Sequence, residues 1–144
     1  MLLTQNAVSR LVNSWGRHID FRYDRLDDKL FREAYSWLPQ SENADLLNQR
    51  GLYPLYLYMK SLLGYPPNVQ VHDSLLVSVS HTDAYDIAEF IRSNLEQRYT
   101  IAGEPFTPFV EFKIGVSWAG VREFKRLPSK EEFTAICREV ELGK

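Results

Sequence analysis

Residues 69–75 read Val-Gln-Val-His-Asp-Ser-Leu, so that His72 and Asp73 stand where two β-prone runs, 69–71 and 75–79, come together. An aspartate there has two readings. Asp is common at hairpin connections because its side chain bonds nearby backbone amides. Its oxygens are also hard ligands suited to Mg²⁺, which takes one or two carboxylates and fills its shell with water and substrate phosphates. Paired strands hold a tip residue more tightly than a long loop does, and metal chemistry needs that placement. The other chemistry-bearing residues give less. His18 and His81 lie at no ligand-set spacing, and Cys137 reads as part of a helix face rather than as a nucleophile.

Composition limits what surrounds this tip. At 144 residues, 44% hydrophobic and 25% charged, the chain has the balance of one ordinary globular domain rather than of a disordered segment. It contains no apolar run of the roughly 20 residues a bilayer span needs, and its start, MLLTQNAVSR, lacks the basic, apolar and cleavage regions of an export signal. A single cysteine rules out an internal disulfide, and a reducing, cytoplasmic setting is the expectation. The net charge of −2 does not suit a protein that grips phosphates unaided. Residues 61–120 carry 3 Lys/Arg against 7 Asp/Glu, a balance that would repel a DNA backbone unless bound cations offset it.

The elements that must position the tip follow from periodicity. Residues 1–12 read as a short helix or loose lead-in, and 14–21, punctuated by Gly16, as a strand or hairpin arm. Asp27 or Asp28 caps a helix whose Leu30, Phe31, Ala34 and Trp37 share one face. Pro39 is expected to interrupt it, as a kink or as the start of a new helix. A helical pattern then runs to about Leu63, with a bend or break at Gly51 and Pro54. Tyr53, Tyr56 and Tyr58 in that stretch read as packing residues rather than as a stacking platform for bases. Gly64–Asn68 is a loop, 69–79 a hairpin, and Thr82 or Asp83 caps a helix to about Tyr99. Residues 100–108 read as a Pro/Gly loop, 109–116 as a strand, and Pro128-Ser129 opens a last amphipathic helix. The fold class expected is α+β with an antiparallel hairpin and strand packed against helices.

Four of these segments carry a resemblance. The run Gln70-Val71-His72-Asp73 between apolar strands resembles the third conserved motif of family A, polymerase I-like, DNA polymerases. Upstream, Arg32-Glu33-Ala34-Tyr35-Ser36-Trp37-Leu38-Pro39-Gln40-Ser41-Glu42-Asn43-Ala44-Asp45-Leu46 is similar to that family's helix, in which an Arg stands eight residues before a Gln and Ala-Asp-Leu follows. Trp15-Gly16-Arg17 resembles the Gly-Arg strand that follows the fingers. The helix at 83–98 and the ending Ile114-Gly115-Val116-Ser117-Trp118 resemble the family's closing helix and its Val-Gly-x-x-Trp ending. The likeness spans roughly residues 13–120, in the family's order and spacing.

The resemblance implies a partial polymerase palm of phage type over residues 1–120, with the lead-in and post-fingers strand in 1–26, and a C-terminal extension with a helix at 121–144. It implies that Asp73 is a ligand of the catalytic Mg²⁺ ions in a two-metal site and that His72 lies near the primer terminus. Arg32 and Gln40 would reach the minor groove of the newly formed pairs, where acceptors occupy similar places on every correct pair. Ser36 stands where relatives often have an Asn that touches template or primer. Arg17 would contact DNA phosphate or, read by itself, form a surface ion pair.

The chain also departs from the pattern. Ser74 stands where many relatives have Glu, and no second aspartate strand or nucleotide-binding fingers helix is present in residues 1–72. The expectation is therefore a naturally split polymerase, inert alone, whose partners are a larger N-terminal polymerase subunit, primer/template DNA and deoxynucleoside triphosphates, in the cytoplasm of a bacterial or phage-infected cell. The alternative is a non-catalytic remnant of a palm that binds DNA or a replisome protein.

Overall fold

The computed structural model describes residues 10–21, 27–101 and 103–143, and within them the protein is α+β. Two compact units divide the chain, residues 1–47 and residues 48–144.

In the first unit, β1 (Arg10–Val12) pairs antiparallel with β2 (His18–Asp20), and α1 (Asp28–Leu46) follows. The expected lead-in helix is corrected in part: residues 10–12 are strand, while 1–9 lie outside the described residues. α1 starts where the sequence suggests, with the Asp27 carboxylate accepting from Leu30 N–H at 2.9 Å. Leu30 and Ala34 pack with Leu11 and Phe21, and Ile19 and Trp37 flank them. Pro39 does not end the helix. It lies on the exposed side, where the carbonyl it leaves unpaired can meet water, and the helix runs unbroken to Leu46.

The helix widens instead at Leu47–Leu52, which winds as a π-helical segment before α2 (Tyr53–Leu63). The physical cause is local. Gly51 is a poor helix former, and Pro54 can neither donate to the carbonyl of Arg50 nor sit close to it, so a wider turn relieves the clash. Gly64 ends α2 with φ +79, a left-handed cap that other side chains resist.

The second unit continues with β3 (Val69–Val71), β4 (Ser74–Leu76) and α3 (His81–Leu95). α3 begins two residues earlier than expected because Ser80 is its N-cap residue, and the Ser80 hydroxyl lies 2.6 Å from Thr82 Oγ1 and 2.7 Å from Asp83 Oδ2. The 100–108 segment is corrected from loop to hairpin: β5 (Tyr99–Ile101) pairs with β6 (Glu104–Phe106). The strand expected at 109–116 shortens to β7 (Phe112–Ile114), which pairs with an unforeseen β8 (Arg122–Phe124). Among the described residues every strand pairs within its own two-stranded hairpin.

Two cores hold this unit. Leu55, Met59 and Ile87 are buried together, with Leu75 of β4, Val77 and Val79 against them. Tyr58 stacks on Phe90 with ring centroids 4.1 Å apart. α4 (Lys130–Glu141) is capped by Ser129, whose hydroxyl accepts from Glu132 N–H at 3.3 Å. Its Phe133 and Cys137 pack with Ala88 of α3, with Phe112 and Ile114 of β7 flanking. Leu127, Phe133 and Cys137 thus bring the segment after residue 120 into this second core. No helix among the described residues is long and apolar enough to cross a membrane.

Candidate functional site

The β3–β4 hairpin is built to expose its tip. Register pairs Val69 with Leu76, Gln70 with Leu75 and Val71 with Ser74, leaving a two-residue connection, His72-Asp73. Its base is closed by Asn68, whose N–H donates to Leu76 C=O at 3.1 Å and whose Oδ1 accepts from Ser78 N–H at 2.5 Å. Leu75 turns into the core beside Leu55 and Met59, which fixes the hairpin's inner face. Alternation then sends Val69, Val71 and Leu76 outward, and all three are exposed.

At the tip, His72 adopts φ +52, a left-handed conformation uncommon outside glycine, though His is among the residues enriched there. Asp73 is exposed and makes no hydrogen bond or ion pair to any described residue. The turn-residue reading of Asp73, in which its carboxylate bonds nearby amides, is therefore not what the hairpin uses. Ser74 does that work: its hydroxyl donates to Val71 C=O at 2.7 Å across the turn. Ser74 thereby helps to close the hairpin. Among the described residues no three His, Cys, Asp or Glu side chains gather as a metal-ligand group, and Asp73 stands as a single exposed carboxylate at the tip.

In the first unit, Arg32, Ser36 and Gln40 are all exposed on α1, spaced four residues apart. Four-residue spacing keeps them along one flank of the helix, opposite the buried Leu30 and Ala34. Arg32 and Gln40 are about 12 Å apart along the axis at 1.5 Å per residue. The Ser36 hydroxyl donates to Glu33 C=O at 3.1 Å, so it is partly engaged by its own helix.

Arg17 stands in a different setting. It closes the β1–β2 turn, where Asn13 Oδ1 accepts from the N–H groups of Trp15 and Arg17. Its guanidinium donates to Asp45 through Nε at 2.9 Å and Nη2 at 2.5 Å. Asn13 Nδ2 donates to the same carboxylate at 2.6 Å, and Ser14 donates to Glu42 through both N–H and hydroxyl. Asn13, Glu42 and Asp45 are buried. The geometry gives Arg17 the ion-pair role, with half of its side chain still open to solvent.

Sequence reading assigned no role to Asn13, Glu42 or Asp45. The available signal was Asn13-Ser14 ahead of Gly16, a turn signature whose side chains need partners. Gly115, in the Ile114-Gly115-Val116-Ser117-Trp118 ending, also has a physical reason: a Cβ there would lie 2.9 Å from Ser117 O and from Val121 Cγ1. Tyr53 and Tyr56 depart from the packing role expected of them, since both are exposed while Tyr58 is the one that packs. Comparisons with known protein families, curated proteins and solved structures return no match for this chain.

Proposed function

We propose that this chain is the C-terminal part of a family A-type DNA polymerase palm, a subunit that supplies one metal-binding aspartate and minor-groove contacts for nucleotidyl transfer. The observation that carries the reading is Asp73, an exposed carboxylate at a rigidly based two-residue hairpin tip, without a partner among the described residues. A structural aspartate at a turn would be bonded to local amides. This one is left available.

The donor chemistry fits Mg²⁺ in one respect and is incomplete in another. A single hard carboxylate suits an ion that keeps most of its shell for water and substrate phosphates. In this reading the remaining protein ligand comes from the part of the polymerase that carries the second aspartate strand. When bound there, Mg²⁺ would stabilise charge at the attacking and leaving oxygens of an in-line displacement. The chain's own residues do the positioning. Asp73 holds one side of that centre, and His72, fixed in its left-handed turn, orients the tip toward a primer terminus. Arg32 and Gln40 span about 12 Å, or three to four base steps of 3.4 Å, which suits donors checking successive pairs in a minor groove.

The exposed Val69, Val71 and Leu76 support an interaction role as well. A two-stranded hairpin with an apolar outer face and unpaired edges is a template for another chain's strand. The larger subunit, carrying the fingers and second aspartate, is the partner this reading requires. Primer/template DNA, deoxynucleoside triphosphates and a bacterial or phage-infected cytoplasm complete it.

A second reading, a non-catalytic remnant that binds DNA or a replisome protein, is favoured by two observations. Arg17 is taken up by Asp45, and Ser74 by Val71 C=O. Reconstitution separates the two. Mixed with the larger subunit, the chain is expected to co-purify and to raise primer extension above that of the larger subunit alone. Co-purification without any gain in extension selects the remnant reading.

A further inference from the structure

Tyr53 and Tyr56 lie one turn apart on α2 and remain 61% and 37% exposed. Together with Asn48 and Gln49 of the π-helical segment and Pro66 and Pro67 beyond Gly64, they line an open groove of about 710 Å³. The charge along the segments that line it is one-sided. From Leu46 to His72 the sequence holds no Asp or Glu, in a protein of net charge −2, and it holds Arg50 and Lys60. Lys60 stands on the rim, with Nζ 3.2 Å from Tyr56 Oη and 5.4 Å from its ring centroid.

We propose that this groove binds single-stranded DNA, with unpaired bases stacked on Tyr53 and Tyr56 and a backbone phosphate at Lys60. Aromatic faces accept any base, and a cation beside them tracks the backbone, which is how sequence-tolerant single-strand sites are made. The Asn48 and Gln49 amides supply donors and acceptors for base edges. Tyrosine-lined grooves also take proline-rich peptides. The missing carboxylates and the lysine on the rim favour a polyanion over a peptide. A duplex offers no free base faces to a shallow groove, so the strand must be single. The choice of DNA over RNA rests on the palm reading above, whereas the stacking chemistry does not.

The test uses the full 144-residue chain without the larger subunit, metal or triphosphate, so its outcome is separate from that of the extension assay. Fluorescence anisotropy of labelled oligothymidylate should report binding that weakens at least about tenfold in the Tyr53→Ala/Tyr56→Ala double variant. Tyr53→Phe/Tyr56→Phe should bind as the parent does, because the rings remain. Lys60→Ala should reduce the salt dependence of log K by about 0.7, the contribution of one phosphate on a single strand. Circular dichroism checks that each variant is folded, and the Phe and Lys60 variants keep the test open if the Ala pair is not. Equal binding by the Ala pair, or an unchanged salt slope in Lys60→Ala, overturns the proposal. Oligouridylate bound as tightly overturns the assignment to DNA, and displacement of the oligonucleotide by a proline-rich peptide assigns the groove to protein.

Discussion

Arg17 and Asp45 form a two-point ion pair, Nε to Oδ2 at 2.9 Å and Nη2 to Oδ1 at 2.5 Å, which ties the β1–β2 turn to the end of α1. These residues belong to two segments that the sequence shows only as separate motifs, Trp15-Gly16-Arg17 and Ala44-Asp45-Leu46. The carboxylate is buried and also accepts from Asn13, so the pair is a clamp within the unit.

Removing one side of that clamp leaves the other exposed to its desolvation. Arg17→Ala should destabilise the chain by about 1–3 kcal/mol, less than a fully buried pair would because the guanidinium is half open to water. Urea unfolding midpoints measure this. A change below about 0.5 kcal/mol, the range of ordinary surface substitutions, would release Arg17 for a direct role with phosphate.

His72 holds a backbone conformation that glycine adopts without steric cost. His72→Gly should therefore leave stability unchanged or raise it by up to about 1 kcal/mol. In the complex that the proposed function requires, it should lower extension, because the imidazole is lost. Destabilisation by His72→Gly would mean that the side chain serves the fold.

Arg32 and Gln40 are exposed on α1, so Arg32→Ala and Gln40→Ala should each change stability by less than about 0.5 kcal/mol. Their effect should appear instead in primer extension past a mismatched pair, which minor-groove donors help to reject. Unchanged discrimination in both variants would leave them as solvated helix residues.

Burial among Phe133, Ala88 and Leu127 pushes the Cys137 thiol above its ordinary value of 9.0, and Glu141 adds to this. The folded state then holds the thiol proton more tightly than the unfolded state does. Its contribution is complete below the ordinary thiol range and is lost as pH rises from about 9 through the raised value. Cys137→Ala should accordingly show a shallower alkaline loss of stability than the parent. At neutral pH, maleimide should label Cys137 only as fast as the second unit opens.

Much of this architecture is legible in the sequence. Asp27 or Asp28 ahead of an i, i+3, i+4 stripe and Pro128-Ser129 ahead of the last helix are local signals; Asp27 forms the first cap and α4 opens after Ser129. The hairpin at 69–79 was legible too, because alternation and turn residues agree, although its second strand is Ser74–Leu76 rather than 75–79. Pro39 misled because its effect depends on which side of α1 meets solvent, and a linear pattern does not carry that. The β5–β6 and β7–β8 hairpins were missed or cut short because each strand is three residues long and β6, β7 and β8 hold Pro or charge. Of the candidate site residues, Asp73, Arg32 and Gln40 are exposed, as either a functional or a solvated surface residue would be. Arg17 could not be resolved from sequence, since its choice between phosphate and carboxylate is made by Asp45, 28 residues away.

Asp73 carries the central claim, and one substitution in the reconstituted complex tests it most directly. Asp73→Asn keeps size and exposure, so the variant should fold and co-purify with the larger subunit like the parent, while primer extension with Mg²⁺ and four deoxynucleoside triphosphates falls by several orders of magnitude. An Asp73→Asn complex that extends primers at the parent rate would contradict the assignment of this hairpin tip to the metal centre.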